Sequence, residues 1–222
     1  MKFAHPEIET VFDTENDWYN ALVVESPTFL VRLLGDIHRQ LQGLDGAGVL
    51  SIGDRPVPMA KHGALLDTFV PFELNRKPLL TQISAALARA AAAPERFEQT
   101  ATVLNAAELW LDALAFAFPC DIVFPGLSPA ALIKAASPEI RGETGTLAER
   151  VLDYMELVGE FDRPRLFFTL NMRSFVEDAE MVLFADTALA HGYHVLAIES
   201  AARPLLPREK RVVIDSDLCE IG

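Results

Sequence analysis

The sequence predicts an α/β fold, a mostly parallel sheet covered by helices and interrupted by an inserted helical block. Two stretches carry that prediction. Residues 165–219 alternate apolar strands with a capped helix, and residues 76–145 turn to Ala-rich helical periodicity. In the first stretch Leu166, Phe167, Phe168, Thr169 and Leu170 make a nearly unbroken apolar run, the pattern of a strand with helices on both faces. Ser174 with Glu177 fits a capping box, in which hydroxyl and carboxylate satisfy reciprocal backbone donors at a helix start. Val176, Ala179, Leu183 and Ala190 then recur at helical spacing until Gly192, a residue suited to a left-handed C-terminal cap. Residues 193–198 form a second apolar strand, and a helix between two such strands makes a right-handed parallel crossover. Beyond Pro204 and Pro207, Val212, Val213 and Ile214 begin a further strand.

The rest of the chain follows in order. Residues 7–13 alternate loosely, as an edge strand would, and residues 20–25 do so better. Ser26 and Pro27 start a helix whose face is Phe29, Leu30, Leu33, Leu34, Ile37 and Leu41, ending at Gly43. Residues 49–52 read as a short strand before the turn Gly53-Asp54-Arg55-Pro56, so the opening is βαβ-like. From Leu74 the pattern is helical. Leu79, Leu80, Ile83 and Leu87 mark one helix, which stops before Pro94. Phe97, Leu104, Trp110, Leu111, Leu114 and Phe118 stripe a longer one over 95–118, enough to project from a sheet domain. Ser128 and Pro129 open a short helix carrying Lys134, and Thr146 with Glu149 supplies another capping box before Leu147, Val151, Tyr154 and Val158. The expected organisation is an α/β core from 1–75 and 146–222 with a helical insertion at 76–145.

Composition narrows the classes. Half of the 222 residues are hydrophobic, ample for a large core, and the 14 Pro and 12 Gly are scattered rather than clustered. Cys120 and Cys219 have no CxxC partner, which points to a reduced, cytoplasmic setting without a disulfide framework. A charged N-terminus and the absence of 18 uninterrupted apolar residues predict neither signal peptide nor membrane span. The net charge of -13 repels nucleic acid on average. That average hides a skew. Residues 1–25 hold six acids against Lys2, whereas 76–96 carry Arg76, Lys77, Arg89 and Arg96 against Glu95. Arg203, Arg208, Lys210 and Arg211 form a second basic cluster.

Several chemistries lack their motifs. There is no GxxxxGK[ST] and no GxGxxG, so this topology, which can host nucleoside triphosphates, is without the loop that would cradle phosphates. Where such ATPases place a magnesium-holding acid, Asn171 and Met172 stand instead, and no ATP is expected as a cofactor. The histidines show no HxH or HExxH spacing, and no GxSxG elbow is present. Asp215, Asp217 and Glu220, with Glu199, form a candidate cation set, but the plainer expectation is that they cap turns or pair with Arg203 and Arg211. Glu108 and Asp112 share a helix face.

The run LFFTLNMRSFVEDAEMVLFADTALAHGYHVLAIES followed by KRVVIDSDLCEIG resembles the type II-A CRISPR spacer-acquisition proteins of the Csn family. The resemblance extends back through ERVLDYMELVGEFDRPRLFF, ALIKAASPEI, FVPFELNRKPLLTQISAAL and NALVVESPTFLVRLLGDI, and so covers nearly the whole chain. It rests on the order of blocks and the ID-DLCEI ending rather than on a catalytic motif.

What the resemblance implies is a non-enzymatic protein with a mostly parallel, P-loop-ATPase-like sheet core lacking a functional phosphate loop. It further implies a helical insertion that helps form a homotetrameric ring, with a basic inner wall taking double-stranded DNA ends beside the CRISPR integrase pair and the effector nuclease. Lys134, within the LIK block that matches the family, is the leading candidate for phosphate contact. Arg76, Lys77, Arg89, Arg96 and Arg141 join it on charge and placement, and recognition is expected to be independent of base sequence. The resemblance also implies calcium, bound by several acids at the hinge after the long helix. Here that hinge, CDIVFPGLSP, offers Asp121 alone, so calcium would need Glu108 or Asp112 as well. A nucleotide- or metal-dependent enzyme and a scaffold binding only protein partners are the competing classes.

Overall fold

The computed structural model describes residues 1–141, 145–161 and 165–221. In chain order these form β1 (Lys2–His5), β2 (Ile8–Asp13), β3 (Tyr19–Val24), α1 (Pro27–Leu41), β4 (Val49–Ile52), β5 (Arg55–Pro56), the single turn α2 (Met59–His62) and β6 (Gly63–Leu66). Next come α3 (Lys77–Ala91), α4 (Phe97–Ala115), α5 (Pro129–Ala136) and α6 (Leu147–Phe161). The chain closes with β7 (Leu166–Leu170), α7 (Asp178–Ala190), β8 (His194–Glu199), β9 (Glu209–Ile214) and β10 (Glu220–Ile221). Two units result, Met1–Glu73 with Glu143–Gly222 and Leu74–Gly142.

The first unit is α/β with a largely parallel core sheet, ordered β10-β9-β3-β8-β7-β6, in which only β10 runs antiparallel to its neighbour. Register pairs such as Ala21 with Ala197 and Phe168 with Leu196 set apolar side chains abreast on each face. Every residue of β3 is buried, as a central strand covered on both sides requires. One face meets α1 and a second sheet, where Phe3, Phe12, Phe29, Leu33 and Ile37 join Leu22, Phe168, Leu196 and Ile214 in a single core. Rings meet edge to face there and across the sheet, Phe3 with Phe168 at 5.1 Å and Tyr19 with Phe184 at 6.2 Å.

Predicted features hold where local chemistry is complete. The Ser26 hydroxyl accepts the Phe29 N–H at the start of α1. Thr146 and Glu149 exchange both capping-box bonds, at 2.7 and 3.3 Å. Gly192, at φ 68°, closes α7, with Tyr193 N–H bonded to the Ala188 carbonyl.

Three expectations are corrected. β4 does not continue a βαβ unit. It pairs antiparallel with β1, a strand the sequence reading missed, in a separate sheet ordered β2-β1-β4-β5, and the chain returns to the parallel sheet only at β6. Ser174 does not cap α7. Asn171 ends β7 at a left-handed φ of 53°, residues 172–174 make a 3-10 turn that buries Arg173, and the helix begins after Glu177. The long helix runs from Phe97 to Ala115, short of the expected 95–118, and none of its residues is buried. Among the described residues no helix is long and apolar enough to cross a membrane.

Candidate nucleic-acid interface

All six basic candidates lie in the helical unit. Between residues 74 and 142 six basic side chains face six acidic ones, so the whole net charge of -13 falls on the remainder of the chain. Nucleic acid meets its smallest electrostatic obstacle on the helical unit.

Three of the six are drawn together. Asn75 clamps the two ends of the unit, donating through Nδ2 to the Ile140 carbonyl at 3.2 Å while its Oδ1 accepts the Ile140 N–H at 2.7 Å. The following residue of each paired segment is basic, which places the backbones of Arg76 and Arg141 beside one another. Arg76 is also the N-cap of α3, and Lys77 its first helical residue. Among the described residues no side chain caps that end, and the first turn holds no acid. Two cations beside the positive end of a helix dipole oppose helix stability by a few tenths of a kcal/mol each, yet their charge favours an approaching phosphate, even though Pro78 in the first turn has no N–H to offer. Lys77 and Arg141 are exposed, and Arg76 is half-buried.

The other three stand apart. Arg89 lies in the last turn of α3, twelve residues beyond Lys77 and so about 18 Å further along the axis. Arg96 ends the 3-10 turn that precedes α4. Lys134 occupies the last turn of α5, where a cation suits the helix dipole, and all three are exposed. A single copy therefore does not gather all six on one point.

The second basic cluster is largely spent inside the α/β unit. Arg208 pairs with Asp17, and Arg211 with Glu209 at 2.6 Å. Arg203 donates to the Ser174 hydroxyl. The terminal acids act as turn and strand-edge acceptors. Asp215 takes the N–H groups of Asp217 and Cys219, and Glu220 takes those of Glu9 and Thr10 on β2.

The residues do not fit calcium. Glu108 accepts the Leu127 N–H at 2.8 Å, holding the return segment against α4, while Asp112 and Asp121 are exposed. Among the described residues no three His, Cys, Asp or Glu side chains are grouped where they could hold a metal ion.

A buried charged network went unread in the sequence. Arg173 donates to Asp178 at 2.8 Å and to the Pro204 carbonyl at 2.8 Å, and lies 3.5 Å from Glu209. Glu199 ends β8 at 4 % exposure and, among the described residues, accepts the Arg173 backbone N–H at 3.3 Å. Burial pushes its carboxyl up to about 7, against the opposing pull of Arg173. Arg173 showed no signal because nothing in its neighbours foretold a 3-10 turn.

No protein-family model matches the chain, and no curated protein sequence does. Among solved structures, the crystal structure of Stu0660 of Streptococcus thermophilus is similar to it, with a TM-score of 0.53 at 11% identity. The likeness spans 91% of this chain and 69% of that one. At that identity it shows the fold.

Proposed function

We propose that the chain binds double-stranded DNA ends, without enzymatic activity, as a homotetrameric ring supporting spacer acquisition in CRISPR adaptive immunity. The observation that carries this reading is the cationic start of α3, where the backbones of Arg76 and Arg141 are drawn together beside Lys77 on the unit that carries no net negative charge. Arg89, Arg96 and Lys134 extend the basic surface, and a ring would gather copies of all six on a shared wall. The resemblance stated above supplies the rest: the ATPase-like ancestry of the core, the cytoplasmic setting, and the integrase pair and effector nuclease as partners.

The junction between β3 and α1 supports a core that does not bind nucleotide. There a phosphate would meet the Glu25 carboxylate and Pro27, which has no N–H to offer at the first helical position, and the Ser26 hydroxyl already serves Phe29.

Gel retardation of linear against covalently closed circular duplex tests the reading. Retention of the linear form alone is expected. Equal retention of both topologies would remove threading onto an end, and retention of neither would leave a protein-only scaffold.

A further inference from the structure

We infer that the groove between α3, α4 and α5 seats one unpaired nucleotide at the end of a duplex, so that the chain favours overhanging ends over blunt ones. This deepens the DNA-end reading above and rests on it.

The groove, about 330 Å³, is walled by Leu87, Ala90, Val103, Leu104, Leu132 and Ile133. That size lies at the low end of the range for clefts that hold small ligands, roughly 300–1,000 Å³, and suits one base. Its walls face water, with Leu87 44% exposed and Val103 48%. The flat face of a base docks on such apolar side chains, and an unpaired base comes at least cost because it has no pair to break.

The polar groups select the occupant. Among the lining residues Arg96, Gln99 and Thr100 are polar, and Arg96 alone is charged. The Thr100 hydroxyl donates to the Ala91 carbonyl at 2.7 Å, which ties α4 to the end of α3 and leaves its oxygen able to accept from a base edge. The Gln99 amide offers a donor and an acceptor side by side, and by turning over it meets the edge of any base. Recognition in the groove therefore stays independent of base identity. The three cations that stand away from the start of α3 all belong to the segments around this groove: Arg96 lines it, Arg89 precedes Ala90, and Lys134 follows Ile133. No acid is among the lining residues. Cations around an apolar cleft fit a base carried on a phosphate backbone, whereas an uncharged apolar segment would gain nothing from them.

Equilibrium binding of the full chain to short labelled duplexes at low salt tests this. Three ends are compared: blunt, with a short single-stranded overhang, and with the same overhang lacking its bases. The wild type is expected to bind the intact overhang about tenfold tighter than the blunt end, and the abasic overhang within about twofold of the blunt end. Ala90→Trp fills the groove from an exposed helical position, and is expected to lose the preference while keeping blunt-end binding within about twofold. Equal wild-type affinity for overhanging and blunt ends overturns the inference and leaves the DNA-end reading standing. That is also the result expected if another protein chain covers the groove. An abasic overhang bound as tightly as the intact one, or an Ala90→Trp variant that keeps the tenfold preference, overturns it as well, and the wild-type comparison decides whether or not the variant folds. Binding to none of the three ends would overturn the DNA-end reading itself, and the inference with it.

Discussion

Glu199 is held at the C-terminal end of β8 by packing rather than by a countercharge, because the Arg173 guanidinium is already committed to Asp178, Glu209 and the Pro204 carbonyl. Its carboxyl rises from the ordinary 4.5 to about 7, so the folded chain holds a proton there that the unfolded chain has released. Stability therefore falls as pH climbs between those two values, by an amount on the order of 3 kcal/mol for a shift of this size. Glu199→Gln removes the titration and still accepts the Arg173 N–H. Urea unfolding should show the variant about as stable as wild type near pH 5 and more stable above pH 8. A difference that does not change with pH would refute the assignment. Arg173 is the opposite case. Arg173→Ala removes one of the two cations on the buried Glu209 and the donor to the Pro204 carbonyl, and is expected to cost about 3 kcal/mol. The same unfolding measurement would show it, and a loss below 1 kcal/mol would mean that Arg211 alone neutralises Glu209.

At the scale of elements, what could be read from sequence was what local chemistry decides. The α6 capping box is complete within four residues, and Thr146→Ala should destabilise by about 1 kcal/mol, measurable as a lowered unfolding midpoint. Ser174 and Glu177 have the same spacing and make no box, because Asn171 leaves β7 left-handed and the buried ion pairs of Arg173 fix the turn that follows. Of the Arg173 partners Asp178 is local, but Glu209 and the Pro204 carbonyl lie more than thirty residues on, where no local pattern announces them. β1 escaped notice for a related reason. Its four residues mix Lys2 and His5 with Phe3 and Ala4, and only pairing with β2 and β4 makes them a strand. The stripe of α4 could be read as a pattern but not as a location. Helical periodicity says that one face is apolar, and does not say what covers it. The basic candidates could likewise be identified by type, whereas the meeting of Arg76 with Arg141 depends on the Asn75–Ile140 clamp across sixty-five residues.

At the scale of the molecule, the division of charge sets how DNA binding should respond to salt. An acidic remainder of -13 beside a neutral unit makes attraction local to the few cations that reach phosphates. Lys77→Glu and Lys134→Glu are each expected to weaken retention of linear duplex about tenfold at low salt and to lower the log–log salt slope by about 1 or slightly more. An unaltered slope in both variants would remove these residues from the interface. The behaviour towards divalent cations follows from Glu108, which spends its carboxylate on the Leu127 N–H where a hard ion would need several free oxygens. The melting temperature and sedimentation mass should be the same in millimolar calcium and in EDTA. Glu108→Ala should lower the melting temperature in both, through loss of a charge-assisted hydrogen bond worth about 1–2 kcal/mol, while Glu108→Gln, which keeps the acceptor, should recover most of it. A wild type that calcium stabilises, beside a Glu108→Gln variant that it does not, would instead place the ion at this carboxylate and give the return segment a metal-dependent fold.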